Sequence, residues 1–251
     1  MARAVGTISF FTLLSRILGF VRDVVIARIF GAGMGADAFF VALKLPNFLR
    51  RLFAEGAFST AFVPVFSDYL KDGDDKATKE AVKAVFTSLT MVLVVVVAVG
   101  QIAMPLIIWI IAPGFADDPV KYQLTVDMTR ITFPYIFFIS LVALAGGILN
   151  SFHRFALPAV TPLLLNIAMI VGALYIAPKM DRPIIGLAIG VLLGGVAQLA
   201  IQIPALKSIG MPFSFRWNWQ HPAIKRIRRV WLEPGGCSFC LVAVADRLLG
   251  E

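Results

Sequence analysis

The sequence predicts an all-α polytopic membrane protein, and three observations carry that prediction. The chain has 251 residues, of which 59% are hydrophobic and only 15% charged, against about 25% charged in an ordinary soluble domain. Its mean hydropathy is +0.86. Four charge-free stretches, Ala84–Ala116, Ile131–His153, Phe155–Pro178 and Pro183–Leu206, are each long enough to cross a hydrocarbon core of ~30 Å, which takes about 20 helical residues.

Two further spans precede these four. Ala4–Phe30 and Ala36–Phe53 have the length and apolar content of membrane helices but carry charges. The Gly31-Ala32-Gly33-Met34-Gly35 segment joins them as a short turn. Pro46 is expected to kink or break the second helix, since proline lacks an N–H and crowds the preceding turn. A shorter apolar piece, Ala57–Phe66, follows as its continuation. Ala84–Ala116 is longer than one crossing needs, so it tilts or projects from the bilayer, with Gly100 and Pro105 as places to bend. Pro134, Pro158 and Pro162 mark kinks in the next two spans.

Six helices therefore fill residues 1–210. Residues 211–231 form a basic segment, whose His221–Trp231 part is amphipathic and suited to a membrane surface. Residues 232–251 are an atypical tail, broken by Glu233-Pro234-Gly235-Gly236. The first apolar run contains Arg16 and Arg22 and leads into further membrane helix, so it reads as a retained span rather than a cleavable leader.

Basic residues set the orientation. With the amino terminus cytoplasmic, twelve fall inside: Arg3, Lys71, Lys76, Lys79, Lys83, Arg154, Lys207, Arg216, Lys225, Arg226, Arg228 and Arg229. Three fall outside: Lys121, Lys179 and Arg182. This is the positive-inside pattern, and it accounts for most of the net charge of +8 without any nucleic-acid partner. Asp68–Lys83 is then a polar cytoplasmic loop and Asp117–Lys121 an external one.

The charges inside the first two spans are the functional signal. Arg16, Arg22, Asp23 and Arg28 interrupt the first. Asp37, Lys44, Arg50, Arg51 and Glu55 interrupt the second. Each costs several kcal/mol at membrane depth unless it meets a partner or water. On an unbroken helix, Asp37, Lys44, Arg51 and Glu55 fall within about 40° of one another, whereas Arg50 lies about 220° from Asp37. Such a face suits the wall of a hydrophilic cavity. Some arginines of the first helix must also look into that cavity or meet acids of the second helix, where Asp37 and Glu55 are available. The surplus of arginine over acid points to an anionic ligand, and phosphate matches guanidinium bidentately.

Other patterns carry less. Gly186, Gly190 and Gly194 recur every four residues and read as a helix-packing row. Asn150 and Asn166 suit either interhelical hydrogen bonds or a cavity wall. Gly31-x-Gly33-x-Gly35 follows no strand, so it is no dinucleotide fingerprint. Cys237 and Cys240 stand alone as a pair, and His153 and His221 are isolated. No acid–base pair, nucleophile constellation or metal-ligand spacing emerges, so the sequence predicts no enzyme and no cofactor.

One family shares these features. Ser15-Arg16-Ile17-Leu18-Gly19-Phe20-Val21-Arg22-Asp23 is followed by Ala27-Arg28-Ile29-Phe30-Gly31-Ala32-Gly33 and Asp37-Ala38-Phe39-Phe40. Then come Lys44-Leu45-Pro46-Asn47, Arg50-Arg51, and Phe53-Ala54-Glu55-Gly56-Ala57-Phe58. Ala112-Pro113-Gly114-Phe115 and Thr132-Phe133-Pro134-Tyr135 continue the pattern. From about Thr7 to Arg229 the chain resembles the MurJ (MviN) family of bacterial lipid II flippases, within the MATE-like exporter superfamily.

The resemblance implies one six-helix lobe of a two-lobe, alternating-access transporter in the bacterial cytoplasmic (inner) membrane, acting in peptidoglycan and cell-wall biogenesis. Its cargo would be the undecaprenyl-pyrophosphate-linked peptidoglycan precursor, with membrane lipids and the cell-wall synthesis machinery as neighbours. By the same resemblance, Arg22 and Arg50 bind the pyrophosphate or adjacent sugars. Arg16, Asp23, Asp37, Lys44, Asn47 and Glu55 line the cavity or set its charge. The family has about fourteen spans, and where it enters a seventh this sequence reads Trp231-Leu232-Glu233-Pro234, as a truncated or frameshifted product inactive alone would. Two other readings stay open: an exporter of a different polyprenyl-pyrophosphate-linked glycan or a drug, and a non-transporting membrane assembly protein.

Overall fold

The structure is a computed structural model that describes residues 2–50, 57–211, 214–215 and 221–232. Within them every regular element is helical. The order is α1 (Ala2–Phe30), α2 (Met34–Arg50), α3 (Ala57–Lys71), α4 (Asp75–Ile111), α5 (Pro119–Thr132), α6 (Tyr135–Ser151), α7 (Ala156–Val171), α8 (Ile185–Ser208) and α9 (Pro222–Leu232). Four segments have the length and apolarity of membrane spans: Asp75–Ile111, Pro119–Ser151, Ala156–Lys179 and Ile185–Ser208. The two charged spans of the sequence correspond to α1 and to α2, and α3 follows after residues outside the described set.

Two apolar clusters hold the bundle together. One gathers Phe62 and Phe66 of α3, Leu93, Met104 and Ile108 of α4, and Leu144 and Ile148 of α6. The other gathers Ile26 of α1, Phe39 and Ala42 of α2, Met128 of α5, and Leu187 and Ala188 of α8. Helix α6 contributes to both. Helix α1 packs chiefly on α7, and α2 on α5.

Several boundaries differ from the sequence expectation. Helix α2 runs through Pro46 instead of breaking. Pro46 removes the N–H that would bond the Ala42 carbonyl one turn back. That carbonyl instead accepts from the Thr132 hydroxyl of α5, at 3.1 Å. A side-chain donor replaces the missing backbone donor, as prolines in membrane helices require. The same repair recurs in α7. Pro162 frees the Pro158 carbonyl, and the Thr161 hydroxyl donates to it at 2.7 Å.

The polar loop expected at Asp68–Lys83 is a tight turn between α3 and α4. Gly73 supplies a φ of +70°, and Asp74 caps α4 by accepting from the backbone N–H of Lys76 and Ala77 at 2.9 and 3.0 Å. The lysines and glutamate that follow are good helix formers, so the polar stretch is helical. At 1.5 Å per residue, the 37 residues of α4 extend about 55 Å, well beyond the hydrocarbon. The helix is unbroken at Gly100, whose bare face admits the Phe133 ring.

The span expected at Ile131–His153 starts earlier, at α5. Asp118 caps that helix and Pro119 opens it. Its threonines are buried because their hydroxyls are satisfied within the helix: Thr125 donates to the Lys121 carbonyl and Thr129 to the Thr125 carbonyl. Pro134 then separates α5 from α6.

The glycine row packs α7 against α8. A Cβ on Gly186 would lie 2.6 Å from the Ala177 nitrogen, and one on Gly190 2.8 Å from the Ala168 carbonyl oxygen. Just above this contact the α7 backbone widens into a π-turn at Gly172–Ile176 and tightens into a 3-10 turn at Ala177–Lys179.

The basic amphipathic segment is a helix, α9, docked on α3 and α4. Ala223 is buried there, and Arg226 pairs with Asp68 at 2.7 Å. His221 caps its start, Nδ1 accepting the Ala223 N–H at 3.2 Å. Cys237 and Cys240 lie outside the described residues, as does all but the first residue of the 232–251 tail.

Two outcomes follow. Gly186→Ala forces backbone apart and is expected to cost about 1–3 kcal/mol. Gly33→Ala, with nothing within 4 Å, is expected to be near neutral; thermal unfolding of both in detergent checks this. Burial lowers the His221 pKa below 6.5, against an opposing pull from Glu80. The folded state therefore favours the neutral imidazole. Its stabilisation is present above 6.5 and is lost as pH falls through 6.5 towards the folded value. Amide protection of α9, corrected for intrinsic exchange, should fall as the pH is lowered from above 6.5 to below it, and His221→Asn should flatten that dependence.

Candidate functional site

Most described charges of α1 and α2 lie on the surface of the helical bundle. Arg16, Asp23, Arg28, Asp37, Lys44 and Asn47 are exposed, and Arg22 is half-buried. Arg50 is the last residue of α2, with its side chain outside the described residues. Arg51 and Glu55 lie wholly outside them. Around these charges α1 also exposes Phe10, Leu13, Ile17 and Phe20.

Arg22 is the most constrained member of the set. Its Nε and Nη2 donate to Asp23 Oδ1 at 2.9 and 2.7 Å. Its Nη1 donates to Asn166 Oδ1 on α7, also at 2.9 Å. Three of the guanidinium's five N–H donors are thus engaged, which leaves two for another acceptor. Asn166 itself is 7% exposed and donates from Nδ2 to the Ser15 carbonyl at 3.1 Å. The sequence leaves the role of Asn166 open between interhelical bond and cavity wall. The structure makes it the bridge between α1 and α7.

Asp37 does not meet an arginine of α1. It pairs with Lys121 of α5 at 2.8 Å, and the same ammonium stands 4.1 Å from the centre of the Phe115 ring. The sequence counts Lys121 only as an external charge. Its partnership with Asp37 spans 84 residues, and no local pattern reveals it. Among the described residues, Arg16, Arg28, Lys44 and Asn47 have no hydrogen-bonded or ion-paired side-chain partner.

Along the described parts of α1 and α2 from Ser15 onward, Arg16, Arg22, Arg28 and Lys44 outnumber Asp23 and Asp37, although the three arginines point about 120° apart around α1 and do not share one face. Among the described residues, the Arg16 and Arg28 guanidiniums and the Lys44 ammonium have no carboxylate partner, so each is open to an anion. An open pocket of about 570 Å³ lies elsewhere, walled by Ile29, Phe30, Leu124, Ala173 and Ile184 with Arg182 beside it. None of the sequence-predicted site residues lines that pocket. No group of histidine, cysteine or carboxylate side chains among the described residues is arranged to hold a metal ion.

Comparison with known proteins gives a consistent set of matches. The family described as lipid II flippase MurJ matches residues 26–237. A lipid II flippase MurJ of Burkholderia cenocepacia is 45% identical over 229 residues, which cover 90% of this chain and 44% of that protein. A probable lipid II flippase MurJ of Haemophilus influenzae is 43% identical over 228 residues, covering 88% of this chain and 45% of that one. A solved structure of lipid II flippase MurJ in an inward closed conformation superposes with a TM-score of 0.72 at 30% identity, over 90% of this chain and 46% of that chain. The chain thus spans somewhat under half the length of the relatives it matches.

The exposed Asp37–Lys121 pair is expected to be weak. A double-mutant cycle of Asp37→Asn and Lys121→Gln, read by thermal unfolding, should give a coupling under ~1 kcal/mol.

Proposed function

The chain belongs to the MurJ family, and from that premise we propose that it forms the amino-terminal lobe of a flippase carrying the undecaprenyl-pyrophosphate-linked peptidoglycan precursor across the bacterial cytoplasmic membrane. The single observation that carries this reading is Arg22. Its guanidinium is anchored on one side by Asp23 and Asn166 and keeps two donors for an outside acceptor. Arg16, Arg28 and Lys44 add uncompensated positive charge along the same two helices.

In this reading α1 and α2, with α3 continuing the second, complete six spans with the four strongly apolar ones. The charged face of α1 and α2 borders a central cavity shared with a second lobe. The amino terminus is cytoplasmic, as the distribution of basic residues favours. The cargo's pyrophosphate is drawn to the arginines, with its prenyl chain left in lipid between helices. Lys44, Asn47 and Arg50 of α2, with Glu55 beyond it in the chain, complete the head-group site. Rocking between inward- and outward-facing states exposes the site alternately to each side. The membrane potential acts on charge moved in this way, at about 2.3 kcal/mol per charge per 100 mV.

Purified chain in lipid nanodiscs is expected to bind undecaprenyl pyrophosphate well above undecaprenol. Arg22→Gln is expected to weaken that binding roughly tenfold or more, as loss of a charge-assisted contact does. Equal binding of the charged and the neutral lipid would refute the reading.

A further inference from the structure

The amide of Asn166 is the one side chain of α7 that reaches a charged group of the candidate site. Ser15, Gly19 and Arg22 are spaced four and three residues apart, so they line one face of α1. Asn166 sits over that face: a Cβ on Gly19 would lie 3.8 Å from its Nδ2. The amide spans from the Ser15 carbonyl on one side to Arg22 Nη1 on the other.

Its orientation is forced. Ser15 offers an acceptor and Arg22 offers only donors. The reverse flip would set the NH2 group against the guanidinium and the amide oxygen against a carbonyl. With the amide held in this way and buried, its Oδ1 is a fixed point to which the long arginine side chain is tied. The tie also spares charge. Asp23 already pairs with the guanidinium, and a second carboxylate here would compete further with an anionic ligand, whereas a neutral amide holds the group without adding negative charge and leaves two donors open.

We propose that Asn166 is a positioning residue that fixes the Arg22 guanidinium for a pyrophosphate head group. The inference rests on the pyrophosphate reading above, and the following test separates the two. Binding of undecaprenyl pyrophosphate to the full chain in nanodiscs is measured for Asn166→Leu, Asn166→Asp, Arg22→Gln and the two double variants, with the thermal transition of each recorded alongside.

Asn166→Leu is expected to lower affinity roughly tenfold, the scale of one hydrogen bond to a charged group. Asn166→Asp, which keeps the shape, is expected to lower it further by neutralising the guanidinium. The Asn166→Leu loss should vanish in the Arg22→Gln background, and the Asn166→Asp loss should shrink to the direct repulsion between carboxylate and ligand. If Asn166 only packs α7 on α1, the order reverses, with the misfit Leu worse than the isosteric Asp, and the losses persist undiminished without Arg22. Either result overturns the proposal. A loss with Arg22→Gln but none with either Asn166 variant overturns it too and leaves the pyrophosphate reading standing. No loss with Arg22→Gln overturns the pyrophosphate reading itself, and this inference with it. Should Asn166→Leu lose its cooperative transition, the comparison of Asn166→Asp with and without Arg22 decides.

Discussion

Backbone polar groups inside a bilayer have no water to turn to, and an unsatisfied one costs several kcal/mol. This constraint shapes the bundle more than any single apolar contact. Proline within a helix creates such a group, and at Pro46 and Pro162 a threonine hydroxyl answers it. Thr132 supplies the donor that Pro46 denies to Ala42, and Thr161 does the same for the Pro158 carbonyl below Pro162. The first of these joins α2 to α5. A repair of the backbone thus doubles as tertiary structure, and it fixes the direction in which α2 carries Asp37, Lys44 and Asn47.

Two buried amides, Gln198 and Asn166, follow the same economy. Gln198 of α8 donates to the Thr161 carbonyl and accepts from the Tyr135 hydroxyl. Asn166 joins the α1 backbone to an arginine. Amides with a donor and an acceptor at fixed separation serve as rigid connectors between helices whose surfaces are otherwise aliphatic. Against them the glycine contact of α7 and α8 works by shape alone, bringing two backbones close enough that a methyl group has no room.

How much of this the sequence discloses depends on range. The four apolar spans were legible because hydropathy is a local property, and so was the glycine row. The Gly73 turn was obscured because the lysines and acids around it look like loop but suit an exposed helix. Helix α5 was hidden because Thr125 and Thr129 score as polar, although each satisfies its hydroxyl on its own turn. Pro46 suggested a break because the compensating hydroxyl lies 90 residues away. The candidate site was readable as a list of charges and not as a set of pairs. Nothing near Asp37 announces Lys121, and nothing near Arg22 announces Asn166. A lone amide in an aliphatic span was the available signal for the second of these, because such a group needs a partner.

Helix α4 overshoots the hydrocarbon by many residues, and α9 is clamped to its polar shoulder and to α3 through Ala223 and the Arg226–Asp68 pair. Helix α9 is thus tied to two helices at once instead of hanging from one. Any pull on it bears on α3 and α4 together, so a tilt of the bundle and a displacement of α9 are mechanically one movement.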